Sequence, residues 1–279
     1  MAKKTSAQLD PMPSIDLHLD TADLARDYER LSVDRQFKSG QRLVTRLRVA
    51  QGEHVLDVGS GTGLLTQHVA GIVGSEGLTI GIDPLPLRVE LARQKTGPNL
   101  HFEVGHANDL TKFAPDSFDV VYLNAVFHWV QEKRGALRQF FRVLKSGGRL
   151  GITTRSKEIP SELHQIKAKV LSQRPYADYP ESSNGQPEWI SASEMANLLG
   201  ETGFTVEAVT VRPNHHFHPS AEDVIQFSSA SSFGNYLGHL PAELRQCAHD
   251  EICAEFEKLR TPEGIRLDGA GLVAIAVKP

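Results

Sequence analysis

The chain has 279 residues, 40% of them hydrophobic and 23% charged, with a formal net charge of -4. That is enough chain for one full core, alone or with an added cap, while a negative sum gives no general attraction to nucleic acid and no stretch reaches the roughly 18 apolar residues of a membrane helix. No apolar signal core follows the lysines of MAKKTSAQLD, so a cytoplasmic protein is expected.

Residues 1–18 mix Pro11, Pro13 and small polar side chains without a period, which predicts a mobile tail ahead of a single domain over 19–279. Residues 21–34 and 39–49 carry apolar side chains at helical spacing, Leu43, Val44 and Leu47 among them, and give a helical cover over 19–50. Short apolar strands follow at 54–58, 78–82, 100–104, 118–123 and 148–154, separated by helical stretches at about 63–72, 85–95 and 133–144. Strands that stay apolar on both faces and take turns with helices predict an α/β fold: a three-layer, Rossmann-like, mostly parallel sheet. Right-handed crossovers then gather the strand ends along one crevice.

Residues 155–190 interrupt the pattern with SELHQIKAKVLSQ and then RPYADYPESSNGQPEW, a composition that suits a lid or substrate-binding insertion. Ser191 with Glu194 reads as a capping box, FTVEAVTV at 204–211 as a strand, Ser220 with Asp223 as a second cap, 241–259 as a long helix and 272–278 as the last of seven strands. Cys247 and Cys253 fall in that long helix about 9 Å apart at 1.5 Å per residue, beyond disulfide reach, and are expected to be free thiols.

In VLDVGSGTG, Asp57 ends the first strand and Gly59, Ser60, Gly61 and Gly63 form the loop that leads into the next helix, where glycine lets a ligand approach the backbone. No lysine follows, which disfavours a nucleoside triphosphate, and Leu64 stands where a dinucleotide fingerprint needs its third glycine. Asp83, ending the second strand, suits the ribose hydroxyls of an adenosine. Asp57 would repel a pyrophosphate but suits an ammonium group.

Together with GID at 81–83, VGHAND at 104–109, FDVVYLNAVFHWV at 118–130 and FFRVLKSGGRLGIT at 140–153, this segment resembles the class I S-adenosylmethionine-dependent methyltransferases, in the broad group of the ubiquinone/menaquinone and small-acid enzymes. The resemblance spans roughly 50–155 and implies S-adenosyl-L-methionine as cofactor, S-adenosyl-L-homocysteine as product, no metal, and a small organic acceptor. It places Gly59, Gly61 and Gly63 under the cofactor, Asp57 near its amino group and Asp83 on its ribose. Pro84 and Leu85 would lie at the adenine face, Ala107 and Asn108 at the adenine edge, and Asn124 and Ala125 at the sulfonium end. Relatives often carry an aspartate where this chain has His106, whose ring either accepts from the adenine amino group or points to solvent.

A sulfonium methyl is already activated, so a base is needed only where the acceptor must lose a proton. His128 is the candidate for that base or, with Trp129, a pocket wall. In NHHFHP, His216 and His218 share one face of an extended segment and are read as pocket-rim groups, ordinary surface histidines, or two ligands of a zinc site that lacks a third. Tyr28, Gln36 and Phe37 before the core, Arg174, Tyr176 and Tyr179 in the insertion, and Phe233, Asn235 and Tyr236 near a glycine are apt to orient an organic acceptor. No nucleic-acid partner and no membrane insertion are expected, and the protein is expected to be a monomer or homodimer. The competing readings are a protein or nucleic-acid methyltransferase and a non-catalytic cofactor-binding regulator.

Overall fold

The computed structural model describes residues 21–181, 186–232 and 236–279. The tail expected over 1–18, and Phe233 and Asn235, lie outside the described residues. The chain starts with α1 (Ala22–Ser32), which passes through a π-helical turn (Val33–Phe37) into α2 (Lys38–Arg46). Then follow β1 (His54–Val58), α3 (Leu64–Val73), β2 (Leu78–Asp83), α4 (Pro86–Arg93), β3 (Leu100–Val104), β4 (Phe118–Asn124), α5 (Lys133–Val143) and β5 (Leu144–Arg155). The second half holds α6 (Glu162–Leu171), α7 (Ala192–Glu201), β6 (Thr205–His218), α8 (Ala221–Ser231), α9 (Ala242–Glu257), β7 (Arg260–Thr261) and β8 (Gly264–Val277).

The sheet runs in the order β3-β2-β1-β4-β5-β8-β6, with the two-residue β7 paired to β8 beside this path. The first five strands pair in parallel, and β8 lies antiparallel to both neighbours. The order reverses at β1, where β2 and β4 flank it, and that switch point opens the crevice at the strands' carboxyl ends. The expected seven-stranded Rossmann-like sheet is therefore present.

Neighbouring residues on one strand explain the unbroken apolar runs. On β4, Val121 and Leu123 enter the core shared with α5 and α7, whereas Val120 and Tyr122 enter the one shared with α2 and α3. Both faces are covered, so neither can be polar. The capping box predicted at Ser191 and Glu194 starts α7, and Ser220 caps α8 through the Asp223 amide.

Two strands are longer than their hydrophobic patterns. β6 continues to His218 and β8 begins at Gly264, with one ladder running from Thr205↔Val277 to His218↔Ile265. Pro213 and Asn214 on one strand, and Gly269 and Gly271 on the other, look like strand breakers in isolation. Pro213 is tolerated because β6 is the sheet edge, where its missing N–H costs no interior ladder bond. The extended ribbon overhangs the crevice and carries a separate core of Leu163, Val170, Tyr176, Val224, Ile252, Phe256 and Ile265, drawn from α6, α8, α9 and β8.

Candidate functional site

The loop after β1 is tied to β2 by its backbone: the Gly59 and Ser60 amides both donate to the Ile82 carbonyl, at 2.7 and 3.0 Å. Gly59 has φ 81°, and a Cβ there would meet the Val126 side chain at 2.3 Å, so packing alone demands glycine. Gly61, with φ 55°, is different. The nearest atom to its notional Cβ is a ring carbon of Tyr28 at 3.5 Å, across an open cradle.

Two buried carboxylates flank that cradle. Asp83 accepts the Gly61 amide at 2.9 Å and the Leu85 amide at 3.0 Å. Asp57 accepts the hydroxyls of Thr66 and Tyr122, both at 2.7 Å. Its burial pushes the carboxyl up to about 7, with those hydroxyl bonds opposing and nearby Asp83 adding to the rise. A third polar group, Ser60 Oγ, is buried without a hydrogen-bond partner. The pocket is lined by Asp57, Gly59–Thr62, Leu64 and Leu65 on one side and by Tyr28, Gln36, Phe37 and Asn124 on the other.

Tyr28 and Phe37, expected on the acceptor side, thus stand over the glycine loop. Tyr28 donates to Gln36 Oε1, and the Arg88 guanidinium lies 4.0 Å over its ring. Asn124 is held at both ends, with Nδ2 donating to the Gln36 carbonyl at 2.9 Å and Oδ1 accepting from Thr153 Oγ1 at 2.8 Å. Ala125 adopts φ 59°, unusual for a residue with a Cβ, and its amide is fixed by Thr153. Pro84 is partly buried and Leu85 fully so at the start of α4. Ala107 packs on the core, Asn108 donates to the Glu132 carbonyl at 2.7 Å, and His106 is exposed in a bridge with Asp109.

His128 sits one turn beyond β4, its Nδ1 3.1 Å from Thr154 Oγ1 and its ring beside Trp129. Burial first, then the charges of Arg155 and Lys133, push the imidazole down to about 3, so it is neutral near pH 7. His216 and His218 share a face as expected, while His215 is exposed. His218 Nε2 is 3.0 Å from the Arg35 guanidinium, whose charge would repel a zinc ion at this ring.

The remaining candidates lie elsewhere. Arg174 is solvent-exposed beside Asp178, Tyr179 is 42% exposed, Tyr176 is buried with its hydroxyl on Glu251 at 2.7 Å, and Tyr236 is buried in the satellite core. Glu222, His249 and Cys253 on α8 and α9 bring ligand atoms within 4.8 Å of one another, a grouping the sequence pattern did not suggest. None of them lines the glycine pocket.

Sequence reading missed the supports of Asp57. Thr66 and Tyr122 were legible in principle, since Tyr122 pairs with Asp57 in register and is the hydroxyl-bearing residue of an otherwise apolar β4 stretch. It also missed Arg35, Arg155 and His164, which no local pattern connects.

Fold and loop together define a cofactor-binding α/β protein of the Rossmann-like class. Residues 50–197 match the methyltransferase-domain family. An O-methyltransferase of Penicillium expansum, cnsE, is 37% identical over 206 residues, covering 71% of this chain and 68% of that protein. An arsenite methyltransferase of Halobacterium salinarum is 30% identical over 212 residues, 73% of this chain but 49% of its relative. The fold is shared with phosphoethanolamine N-methyltransferase 2 of Haemonchus contortus, at 17% identity and TM-score 0.59 over 93% of this chain and 58% of that one. It is shared too with the cyclase SpnF, at 20% identity and TM-score 0.57 over 87% and 81%. The chain belongs to the class I S-adenosylmethionine-dependent methyltransferase family, an enzyme family, and spans about two thirds of the first relative and half of the second. Among the described residues, no helix is long and apolar enough to cross a membrane.

Proposed function

We propose that the chain moves a methyl group from S-adenosyl-L-methionine to a small organic acceptor by in-line displacement. The observation that carries this is the roofed cradle: a glycine with open space above it, a buried carboxylate on each side, and an aromatic cover from α1 and the π turn. The residues fit the cofactor. Gly61 leaves room for it, Ser60 Oγ is a buried hydroxyl in want of a partner, and Asp83 is a carboxylate, the group that suits ribose hydroxyls, fixed beside the loop by the Gly61 and Leu85 amides. Asp57 would hold the ammonium of the methionine part, which favours its ionised form.

When bound, the cofactor supplies an electrophilic methyl and needs no covalent help from the protein. The chain's own task is to hold the acceptor atom about 3–3.5 Å from that methyl and keep water away. Asn124, clamped by Gln36 and Thr153, and Ala125, fixed by Thr153, form a rigid wall where β4 ends. Tyr28, Gln36 and Phe37 shield the cradle from solvent. His128, neutral and bonded to Thr154, serves as a wall that orients the acceptor, because an imidazole whose conjugate acid is so disfavoured is a poor proton acceptor near pH 7.

The covered pocket favours a small acceptor over a protein or nucleic-acid chain. The O-methyltransferase name of one relative supports the same class. Arsenite is disfavoured: Cys247 and Cys253 are both on α9, and neither lines the cradle. The likeness to a cyclase keeps open a second reading, in which the cofactor is bound and no methyl moves.

The test is to incubate the protein with methyl-labelled cofactor and fractionated small-molecule extracts. Label is expected in a product heavier than its precursor by one methyl substitution. Tight cofactor binding with no label transfer from any fraction would support the second reading.

A further inference from the structure

Beyond the ends of β4 and β5, basic and imidazole side chains from separate elements converge. Arg155 closes β5, Arg35 lies in the π turn, His128 follows β4, His164 belongs to α6 and His216 to β6. Ser161 Oγ joins two of them, 3.0 Å from Arg155 Nη1 and 3.1 Å from His164 Nδ1, while Thr154, the residue before Arg155, lies 3.1 Å from His128 Nδ1, and the charge of Arg155 acts on His128, His164, His216 and Arg35 alike.

Among the described residues, Arg155 has one hydrogen-bond partner, the neutral Ser161 hydroxyl at 3.0 Å. Arg35 meets His218 at 3.0 Å and stacks 4.7 Å over Phe227. Among the described side chains, no carboxylate acts on either guanidinium. Several other arginines are paired with carboxylates: Arg149 with Glu53, Arg260 with Glu257 and Arg266 with Asp268. Burial pushes the Arg35 guanidinium down to about 10 and Arg155 in the same direction, so both charges are held against a desolvation cost. A third N–H donor, Trp189 Nε1, is buried without a partner, its ring edge-on to His164 at 4.4 Å. Five Arg155 donors with one acceptor, and no described carboxylate acting on either guanidinium, define a place for negative charge.

This place is not the cofactor cradle, whose lining includes neither arginine. It adjoins the Asn124–His128 wall, where an acceptor would present its reacting atom. We propose that the methyl acceptor carries an oxyanion, a carboxylate or phosphate monoester, held by Arg155 with Arg35 behind it, an inference that rests on the methyltransferase reading above. The imidazoles, neutral near pH 7, supply shape and hydrogen bonds rather than charge. Recognition of one end of the molecule by a guanidinium fork sets the direction in which the rest reaches toward β4.

The experiment titrates benzoate, phenyl phosphate and benzamide into the full chain saturated with S-adenosyl-L-homocysteine, for the wild type, Arg155→Gln, Arg155→Lys and Arg35→Gln. One or both anions are expected to bind at least about tenfold more tightly than neutral benzamide, and Arg155→Gln to remove about tenfold or more of that affinity. Arg155→Lys, which keeps charge without the fork, is expected to fall between. The benzoate and phenyl phosphate arms tell carboxylate from phosphate. Affinity for the homocysteine product is expected to stay within about twofold in every variant, which also reports that each is folded.

Equal binding of benzamide and the anions, or an Arg155→Gln variant with undiminished anion affinity, would overturn the proposal. So would the absence of saturable anion binding in a wild type that binds the homocysteine product. Parallel loss of that product's affinity in the arginine variants would reassign the guanidiniums to the cofactor carboxylate and overturn it too. If Arg155→Gln does not fold, the wild-type comparison of benzoate with benzamide decides alone. A wild type that fails to bind the homocysteine product would instead remove the methyltransferase reading.

Discussion

The Asp83 carboxylate accepts the Gly61 amide at 2.9 Å, so the end of β2 sets the shape of the loop that leaves β1. Its other oxygen takes the Leu85 amide at the start of α4. Two connections of the fold, the β1–α3 loop and the β2–α4 turn, therefore meet at one side chain. Replacing Asp83 with alanine removes these anchors and the acceptor for ribose hydroxyls together, and charge-assisted bonds are worth about 1.5–3 kcal/mol each. Affinity for S-adenosyl-L-homocysteine is expected to fall at least tenfold by calorimetry. An unchanged dissociation constant in a folded Asp83→Ala protein would take Asp83 out of the ribose role.

Asp57 makes cofactor binding depend on pH. Its carboxyl, raised to about 7 by burial and faced by Tyr122, Thr66 and Asp83, is protonated in much of the unliganded protein at pH 6. A ligand ammonium favours the charged form, so affinity should rise with pH up to about 7 and then level off, approaching tenfold per pH unit on the acid side. Asp57→Asn should flatten this profile. A wild-type affinity constant from pH 6 to 8 would refute the pairing of Asp57 with the ammonium.

The same raised carboxyl affects the unliganded fold. Because the folded state holds the proton more tightly than the unfolded chain, this contribution to stability is present below the ordinary carboxyl value of 3.8 and is lost as pH rises toward 7. The loss is on the order of 4 kcal/mol at most. At pH 8 without cofactor, Asp57→Asn should melt at a higher temperature than the wild type. A lower melting temperature would mean that the hydroxyl bonds from Thr66 and Tyr122 outweigh desolvation.

His128 and His164 work in the opposite direction. Both are pushed down to about 3, by burial first and then by Arg155. A folded-state value below the unfolded one of about 6.5 gives stability that is complete above pH 6.5 and is lost as pH falls, by about 2 kcal/mol per group at pH 5. Urea unfolding at pH 7 and pH 5 should show this difference, smaller in His164→Asn. An identical pH dependence in that variant would exclude the ring as its source.

For His128 the kinetic prediction follows from its neutrality. As a wall, His128→Gln should slow single-turnover methyl transfer by less than about tenfold and leave the acid limb of the rate profile where it was. Loss of a true base would cost about 10²–10⁴-fold and abolish that limb. The second outcome would show that acceptor binding raises the basicity of the ring.

The cofactor side was legible because it is local. An apolar strand, an acid and a glycine loop occupy Val55–Gly63 without a break, and each is a response to one backbone requirement. The proposed acceptor side was legible only in part: His128 and His216 stood out as pocket candidates, but Arg35, Arg155 and His164 did not, because these residues are scattered over most of the chain and meet only through the sheet order. Tyr176 shows the converse. Its position in a tyrosine- and proline-rich stretch suggested an orienting aromatic, yet it packs in the satellite core because α6, α8 and α9 need a large side chain there. Pro213 and Gly271 hid the length of the last strands, since local propensity ignores the partner strand that overrides it.

The β6–β8 ribbon is one ladder from Thr205 to His218, with a single irregularity between Val206 and Ala208. Its outer end is a cantilever, built into the core at Val206 and Ala276 and braced by the satellite core on Ile265 and Leu267, and it carries His216 and His218. A beam supported in this way resists bending, and its wall of the chamber is the stationary jaw. Entry and exit then fall to the opposite jaw, the α1–π-turn segment, where Arg35 reaches across to His218 as a latch between the two. Amide exchange should accordingly be slow along the ribbon and fast in Asp23–Phe37, with turnover limited by the release of that latch rather than by any flexing of the sheet.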